Sequence, residues 1–241
     1  MLVLPAADRS LLDVILKEKP NASQKMTLLK GVAQAIQHLH DKEIIHGDIK
    51  ALNIVVKDEK TVQLIDFDAS VNFHEYVGAK FSSGVLPPEM FVTLNDTEVK
   101  LFKSSYNLRN DLWMKVKPVK DEERKCYYTV RTFINNESND LLMKDLLIKA
   151  TTSIDIWSFG VLMYYMLSIN NEPLLVVDIN DDISKRGCKE FRKIIEMTDN
   201  SIGNDVHDFI IDENARDLLI KILKIKPEER IPFKEITVIT L

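Results

Sequence analysis

Cysteine is scarce in this 241-residue chain, which contains only Cys126 and Cys188. Two cysteines cannot build a disulfide framework, and they do not complete a four-ligand zinc site. We therefore expect two reduced thiols, as is usual for a protein of the cytoplasm, or of the nucleus.

An excess of positive charge and a long apolar run are also lacking. The net charge is −5 and the isoelectric point is about 5.6, so no general basic field attracts nucleic acid or an anionic membrane. The first apolar residues have no basic flank and stop at Pro5, which does not fit a signal peptide. The most apolar stretch, residues 154–169, contains Asp155 and is too short to span a bilayer. We expect no nucleic-acid or membrane partner, and nothing in the sequence indicates an oligomeric state.

What the chain does contain is an ordinary globular composition, 45% hydrophobic and 29% charged, which suits one domain. Apolar residues recur at helical spacing over residues 23–40 and predict a long amphipathic helix. Residues 154–168 are apolar nearly all round and predict a helix buried in the middle of the domain. Shorter helices are expected over residues 10–17 and 215–225, the second ended by Pro227.

The strand signals are few. Residues 54–56 and 62–65 are short apolar runs around a polar turn, which predicts a hairpin. Residues 91–149 are rich in Lys, Asn, Asp and Glu and mostly lack a steady period, so we interpret them as a long insertion with some helix, partly mobile. The predicted fold class is mainly α with a small β-hairpin.

One loop carries most of the chemistry. The sequence His-Gly-Asp-Ile-Lys-Ala-Leu-Asn runs from His46 to Asn53, and Asp66-Phe-Asp begins thirteen positions after Asn53. Phosphoryl transfer requires a carboxylate facing the incoming hydroxyl, oxygen ligands for Mg²⁺ and a cation near the transferred group. A loop followed by a hairpin presents all of these groups at the same end of a two-stranded ribbon.

Five motifs in the same order resemble the eukaryotic protein kinase family. They are the catalytic loop from His46, the metal loop from Asp66, Leu-Pro-Pro-Glu ending at Glu89, Asp-Ile-Trp-Ser-Phe-Gly from Asp155, and Arg230. The placement of a lysine two positions after the loop aspartate resembles serine/threonine kinases rather than tyrosine kinases. The Trp-Ser-Phe-Gly string and the paired prolines resemble the tyrosine-kinase-like branch.

The resemblance implies the carboxyl-terminal (C) lobe of such a kinase, an α+β lobe without the small amino-terminal (N) lobe. It covers residues 1–241 except the insertion. It implies this division: hinge strand and hinge 1–7, catalytic and metal loops 41–68, activation segment 66–89, insertion 91–149 and central buried helix 154–168.

The same resemblance implies a role for each matching residue. Asp48 orients the substrate hydroxyl and accepts its proton, and Lys50 contacts the transferred phosphate. Asn53 and Asp66 hold Mg²⁺. Pro5, Ala7, Val55 and Ile65 would contact the adenine, and Asp66 is also counted among the ATP-binding residues. The other matching positions support the loops. They are Ser82 with a bracing hydroxyl, His46 as a structural histidine, Asp155 bound to the catalytic-loop amides, and Glu89 paired with Arg230.

Three features depart from the family pattern. Gly47 stands where the family has an arginine that receives an activation-loop phosphate, so we expect that switch to be absent or altered. Asp68 stands where the metal loop has glycine; it could assist metal binding, hinder a loop flip or point to water, and the last two together are favoured. No Gly-rich loop, strand lysine or partner glutamate of the small lobe is found.

Two functions follow as alternatives. The leading one is a fragment of a serine/threonine kinase that uses ATP and Mg²⁺ on a protein substrate and requires its N-lobe in cis. We expect little or no turnover from the isolated chain, because the N-lobe would supply part of the positioning. Misplacement of a reacting group by about 1 Å can cost roughly a hundredfold in rate. The other is a pseudokinase, an interaction module without turnover.

His38 and His40 end a helix, where the dipole favours cations, and we assign them no chemistry.

Overall fold

The computed structural model describes residues 9–58, 61–78, 80–105, 110–131, 148–184 and 188–238. The expected hinge residues Pro5 and Ala7 lie outside the described residues, as does the strand expected before them. Within the described part of the chain, no helix is long and apolar enough to cross a lipid bilayer.

Two helices form the centre of the core, as the sequence predicts. Helix α2 (Ala22–His40) begins at a capping box in which Asn21 and Gln24 satisfy each other's backbone N–H groups. Helix α5 (Thr152–Leu167) is buried on almost every side. Because α5 has no polar face, it can only lie inside the domain, and it packs against α2 and the later helix Glu213–Ile222.

The predicted hairpin is confirmed and belongs to a three-stranded antiparallel sheet. Its strands are β3 (Ile54–Val56) and β4 (Val62–Leu64), and β1 (Arg9–Ser10) pairs with the other edge of β3. Ser10 also caps helix α1 (Leu11–Asp13), which continues as a π-helical segment, Val14–Glu18. A two-residue strand such as β1 has no detectable period, so the sequence predicted only the helix that follows it.

A second antiparallel pair brackets the catalytic loop. Strand β2 (Ile44–Ile45) pairs with β5 (Val71–Asn72), so the segments just before His46 and just after the metal loop lie side by side. The segment between β5 and residue 90 is irregular, as expected, apart from 3₁₀ turns at Ser83–Val85 and Pro88–Met90.

The insertion contains more regular structure than the sequence predicted. Its helices are α3 (Asp96–Ser105) and α4 (Asn110–Lys115). Strands β6 (Phe91–Leu94), β7 (Val119–Asp121) and β8 (Cys126–Val130) form an antiparallel sheet with β8 in the middle. The expected β content, one small hairpin, is therefore too low, because three short strands separated by polar turns show no sustained alternation.

The described part of the insertion has a small core of its own, separate from the main one. Leu94, Val99, Phe102, Trp113 and Val116 pack together. The ring centroids of Phe102 and Trp113 are 5.4 Å apart in an edge-on arrangement. This core fixes the helices of the insertion against its sheet.

Four more helices complete the described domain: α6 (Lys189–Glu196), α7 (Asp199–Phe209), α8 (Glu213–Ile222) and α9 (Phe233–Val238). Helix α8 confirms the expectation for residues 215–225, and a 3₁₀ turn starting at Pro227 follows it. Helices α6, α7 and α9 were not predicted from the sequence. Gly160 of α5 lets α8 approach closely, since a Cβ there would lie 2.5 Å from Ile222 Cγ2.

A buried carboxylate joins the insertion to the rest of the domain. Asp121 at the end of β7 is 1% exposed. It accepts hydrogen bonds from Arg192 Nε and Nη2, both at 2.7 Å, and from the Tyr128 hydroxyl at 2.9 Å. The Arg192 guanidinium holds the pKa of Asp121 far below its usual value. Burial, together with the bond to Asp121, raises the pKa of Tyr128 to about 12.

We predict that Asp121→Asn makes stability less dependent on pH in acid. The folded-state pKa of Asp121 lies below the unfolded value of 3.8, so its contribution is complete above that value and fades as the pH falls below it. Urea denaturation should therefore show a large stability difference between wild type and Asp121→Asn at pH 7 and a smaller one at pH 3. The exposed Glu228→Gln serves as a control, and an equal difference at both pH values would contradict the prediction.

Candidate active site

The site is built around a buried carboxylate on the central helix. Asp155 of α5 is fully buried. Its Oδ2 accepts the His46 N–H at 2.9 Å and its Oδ1 accepts the Gly47 N–H at 2.9 Å. His40 Nε2, at the end of α2, lies 2.9 Å from Oδ2. The carboxylate therefore fixes two consecutive amides of the catalytic loop and is itself held by a second helix.

His40 is a member of the site that sequence reasoning missed. Its position at a helix end suggested only an interaction with the helix dipole. The structure shows it 8% exposed, with its ring 5.3 Å from that of Phe233 and its Nε2 directed at Asp155. No local pattern marks this role, because His40 and Asp155 are 115 positions apart in the sequence.

His46 joins the catalytic loop to the segment that follows β4. Its Nδ1 accepts the Asp48 N–H at 3.3 Å, and its Nε2 lies 3.1 Å from the Ile65 carbonyl oxygen. Because Nδ1 is an acceptor here, the proton is on Nε2, and the imidazole donates it to that carbonyl. This arrangement fits a structural histidine rather than a general base.

Asp48 is oriented through both of its carboxylate oxygens. Oδ1 accepts the Ser82 N–H at 3.0 Å, and Oδ2 accepts from Asn53 Nδ2 at 2.9 Å. Asn53 Nδ2 also donates to the Asp48 carbonyl at 2.9 Å, so its two N–H groups both point inward. The Asn53 side-chain oxygen then remains as an acceptor on the other side of the amide.

Lys50 completes this group. Its Nζ donates to Ser82 Oγ at 2.6 Å and lies 3.4 Å from Asp48 Oδ2. It also lies 3.4 Å from Asp181 Oδ2, a contact that the sequence did not predict. The structure thus brings Asp48, Lys50, Asn53 and Ser82 together.

Asp66 lies at the adjacent end of the ribbon but does not join that group. The Ile65 N–H donates to the Asn53 carbonyl at 3.0 Å and extends the β3–β4 ladder by one residue on each strand. Asp66 follows in the left-handed region, with φ 63° and an exposed side chain. Among the described residues, Asp66 makes no hydrogen bond to Asp48 or Asn53, and no group of three or more His, Cys, Asp or Glu forms a metal-binding cluster.

Asp68 and the two residues expected beneath the adenine are also described. Asp68 is exposed and pairs with Lys80, and this pairing raises the pKa of Lys80. Val55 is buried, whereas Ile65 is 41% exposed and the neighbouring Phe67 is 48% exposed. An apolar surface is therefore open next to the metal loop.

Gly47 occupies a position that other residues fill only with strain. Its φ is +79°, and a Cβ added there would lie 2.8 Å from the Ala69 carbonyl oxygen. Both the backbone conformation and the close approach of Ala69 favour glycine. In this backbone conformation, an arginine at the position would be strained.

The end of the activation segment is held by a bidentate ion pair. Arg230 Nη1 and Nη2 donate to the two carboxylate oxygens of Glu89 at 2.6 and 2.7 Å. Arg230 is 5% exposed, donates to the Ser153 carbonyl at 3.0 Å and lies 5.0 Å from the Trp157 ring centroid. The pair ties the segment to α5 and to the turn before α9.

Comparison with known proteins gives matches to protein kinases. Residues 1–101 match the family model described as protein kinase domain. A probable LIM domain-containing serine/threonine-protein kinase of Dictyostelium discoideum is 40% identical over 65 residues, 26% of this chain and 10% of that protein. Serine/threonine-protein kinase mig-15 of Caenorhabditis elegans is 29% identical over 90 residues, 36% and 8% of the two chains.

A third relative extends over nearly the whole chain. Serine/threonine-protein kinase 33 of Bos taurus is 25% identical over 242 residues, which cover 98% of this chain and 38% of that protein. These matches and the motifs show that the chain is similar to eukaryotic protein kinases. The chain spans well under half the length of each of these relatives.

We predict that Gly47→Ala destabilises the protein by about 1–3 kcal/mol, because it combines a left-handed backbone with a short contact to a carbonyl oxygen. Gly78→Ala is the matched control, since a Cβ at Gly78 has nothing within 4 Å. The free energy of unfolding, measured by urea denaturation, should fall for Gly47→Ala and stay within about 0.5 kcal/mol of wild type for Gly78→Ala. Equal stability of the two variants would show that Gly47 is under no special constraint.

Proposed function

We propose that this chain is the C-lobe of a protein serine/threonine kinase, which transfers the γ-phosphate of ATP to a hydroxyl of a protein substrate with the help of Mg²⁺. The observation that supports this most strongly is the shared hydrogen-bond network of Asp48, Lys50, Asn53 and Ser82. A protein that only binds partners has no chemical need for a carboxylate, an ammonium and an amide oriented in this way.

In this proposal Asp48 is the group that orients the substrate hydroxyl and accepts its proton. The Ser82 N–H and the Asn53 amide hold one carboxylate oxygen each, so the carboxylate cannot rotate freely. Preorganisation of this kind is how phosphotransferases gain most of their rate, since the reaction depends on positioning and charge rather than on covalent help. Lys50 would stabilise the negative charge of the transferred group.

The donor set fits a hard divalent cation. Asn53 directs both N–H groups at Asp48, which leaves its side-chain oxygen for a metal. The Asp66 carboxylate is solvent-exposed at the same end of the β3–β4 ribbon. Mg²⁺ prefers one or two such oxygen ligands and shares the rest of its coordination with phosphates and water. When bound there, it would neutralise charge on the phosphates.

The adenine would lie on the apolar surface at the end of the ribbon. Val55 and Ile65 are the expected contacts, with Pro5 and Ala7 supplying backbone groups. The exposure of Ile65 and Phe67 suits a surface that a small lobe covers in the whole protein. We propose that this lobe is supplied in cis and that the cytoplasm is the site of action.

A groove for the protein substrate opens beside Lys50. It has a cavity volume of about 380 Å³ and lies between the catalytic loop, α5 and the segment after α5. Leu52, Val85 and Leu162 contribute apolar walls, and Lys50 and Asp181 line the same groove. An extended peptide placed there has apolar surface to bind while a hydroxyl lies near Asp48.

The proposal predicts that Asp48→Asn lowers phosphate transfer by about a hundredfold or more, because a positioned base contributes roughly that much. Radiolabel transfer from ATP to a generic serine/threonine substrate should be measured on the chain within its full-length protein. Asp217→Asn, on an exposed face of α8, is the control and should transfer phosphate as wild type does.

A thermal-shift titration with ATP and Mg²⁺ completes this test. We expect ATP and Mg²⁺ to raise the midpoint of thermal unfolding for both wild type and Asp48→Asn, since the substitution leaves the proposed metal ligands in place. Equal phosphate transfer by wild type and Asp48→Asn would contradict the catalytic assignment. No transfer together with no thermal shift would instead favour an interaction module.

A further inference from the structure

We propose that Lys117 and Asp182 are positioning residues that together hold Ser82 against Asp48 and Lys50. This couples the insertion, which supplies Lys117, to the catalytic loop. The inference rests on the proposed function, because Asp48 and Lys50 are the groups being positioned. We refer to the Lys117–Asp182 ion pair and its contacts with Phe81 and Ser83 as the activation-segment clamp.

The clamp holds the chain on both sides of Ser82. Lys117 Nζ donates to the Phe81 carbonyl at 2.8 Å and lies 4.8 Å from the Phe81 ring centroid. Asp182 Oδ1 accepts from both the N–H and the hydroxyl of Ser83, each at 2.9 Å. Lys117 Nζ also pairs with the same Asp182 oxygen. The residues before and after Ser82 are therefore bound to one ion pair.

Ser82 itself is the contact between this segment and the catalytic loop. Its N–H orients Asp48 Oδ1 at 3.0 Å, and its hydroxyl accepts from Lys50 Nζ at 2.6 Å. A shift of Ser82 by about 1 Å would lengthen both bonds at once, and a shift of this size near a reacting group can cost about a hundredfold in rate.

The Asp182 side of the clamp is a short closed turn. Asp178 N–H donates to the Asp182 carbonyl at 2.7 Å, and Ser184 N–H donates to the Val176 carbonyl at 2.9 Å. One residue earlier, Asp181 places its carboxylate 3.4 Å from Lys50 Nζ. The Asp181 carbonyl also accepts the Gly84 N–H at 2.9 Å. The turn therefore contacts the activation segment and the catalytic loop together.

The Lys117 side is anchored by the core of the insertion. Val116 is 3% exposed and packs in that core. Its carbonyl accepts the Val130 N–H from β8 at 2.9 Å, and the Lys117 N–H closes a turn onto the Met114 carbonyl at 3.1 Å. Lys117 thus projects from a packed support, so the position of its ammonium depends on how the insertion folds.

The ion pair is partly protected from water, which makes it worth more than a surface pair. The side chains of Lys117 and Asp182 are 25% and 18% exposed. Burial raises the pKa of Asp182, but the Lys117 ammonium and the Ser83 N–H and hydroxyl outweigh it and leave that pKa below its usual value. Asp182 is therefore ionised at neutral pH.

The test measures amide hydrogen exchange on the chain in three variants. Lys117→Met removes the charge and keeps the length of the side chain, and Lys117→Arg restores the charge. Arg124→Met is the matched control, because Arg124 pairs with Glu196 and so joins the same insertion to α6 away from the activation segment.

We expect Lys117→Met to speed exchange at the Ser82 and Ser83 amides by about tenfold or more, the effect of losing a charge-assisted hydrogen bond. The His46 and Gly47 amides, bound by Asp155, should exchange as in wild type and report on the rest of the site. Lys117→Arg should return exchange towards wild type, and Arg124→Met should leave Ser82 and Ser83 unchanged.

The proposal is overturned if Lys117→Met leaves Ser82 and Ser83 as protected as Arg124→Met does, or if all four amides speed up equally. Phosphate transfer by the full-length protein separates this result from the proposed function. A wild type without transfer refutes only the function, since exchange still tests the clamp. With transfer present, Lys117→Met should lower kcat by about tenfold and leave the KM for ATP unchanged; an unchanged kcat would refute the positioning role.

Discussion

The buried carboxylate of Asp155 is the interaction on which the rest of the site depends. It accepts from His46, Gly47 and His40, so each donor it holds would otherwise be buried without a partner. An unsatisfied buried donor costs about 1–3 kcal/mol, so the loop has a strong reason to keep this conformation. Asp48 follows directly after Gly47, so the two held amides fix the backbone next to it, while Ser82 and Asn53 orient its carboxylate.

The other supports of the site also join segments that are far apart in the sequence. Asp48 and Ser82 are 34 positions apart, and Glu89 and Arg230 are 141 positions apart. Each support is a charged group held at two or more atoms, which gives direction as well as attraction. These bonds therefore join the catalytic loop, the activation segment and the central helix, and the activation-segment clamp would extend the connection to the insertion.

Local signals in the sequence predicted much of this architecture. Three signals can be recognised within a short stretch of sequence: the periods of α2 and α5, the hairpin, and the spacing of the Asp48, Asn53 and Asp66 motif. The structure shows the helices and the hairpin where they were expected. What could not be predicted depends on distant pairing. His40 and Lys117 find their partners only after the chain has folded, and the sheet of the insertion consists of strands too short to show alternation.

Amide hydrogen exchange at His46 and Gly47 in Asp155→Asn tests the central claim most directly. The asparagine side chain has nearly the same shape, but its NH₂ group must face at least one donor that the carboxylate accepted. We predict that exchange at one or both amides becomes about tenfold faster while the amides of α2 keep their protection. If both loop amides stay as protected as in wild type, Asp155 does not order the catalytic loop and this account of the site is wrong.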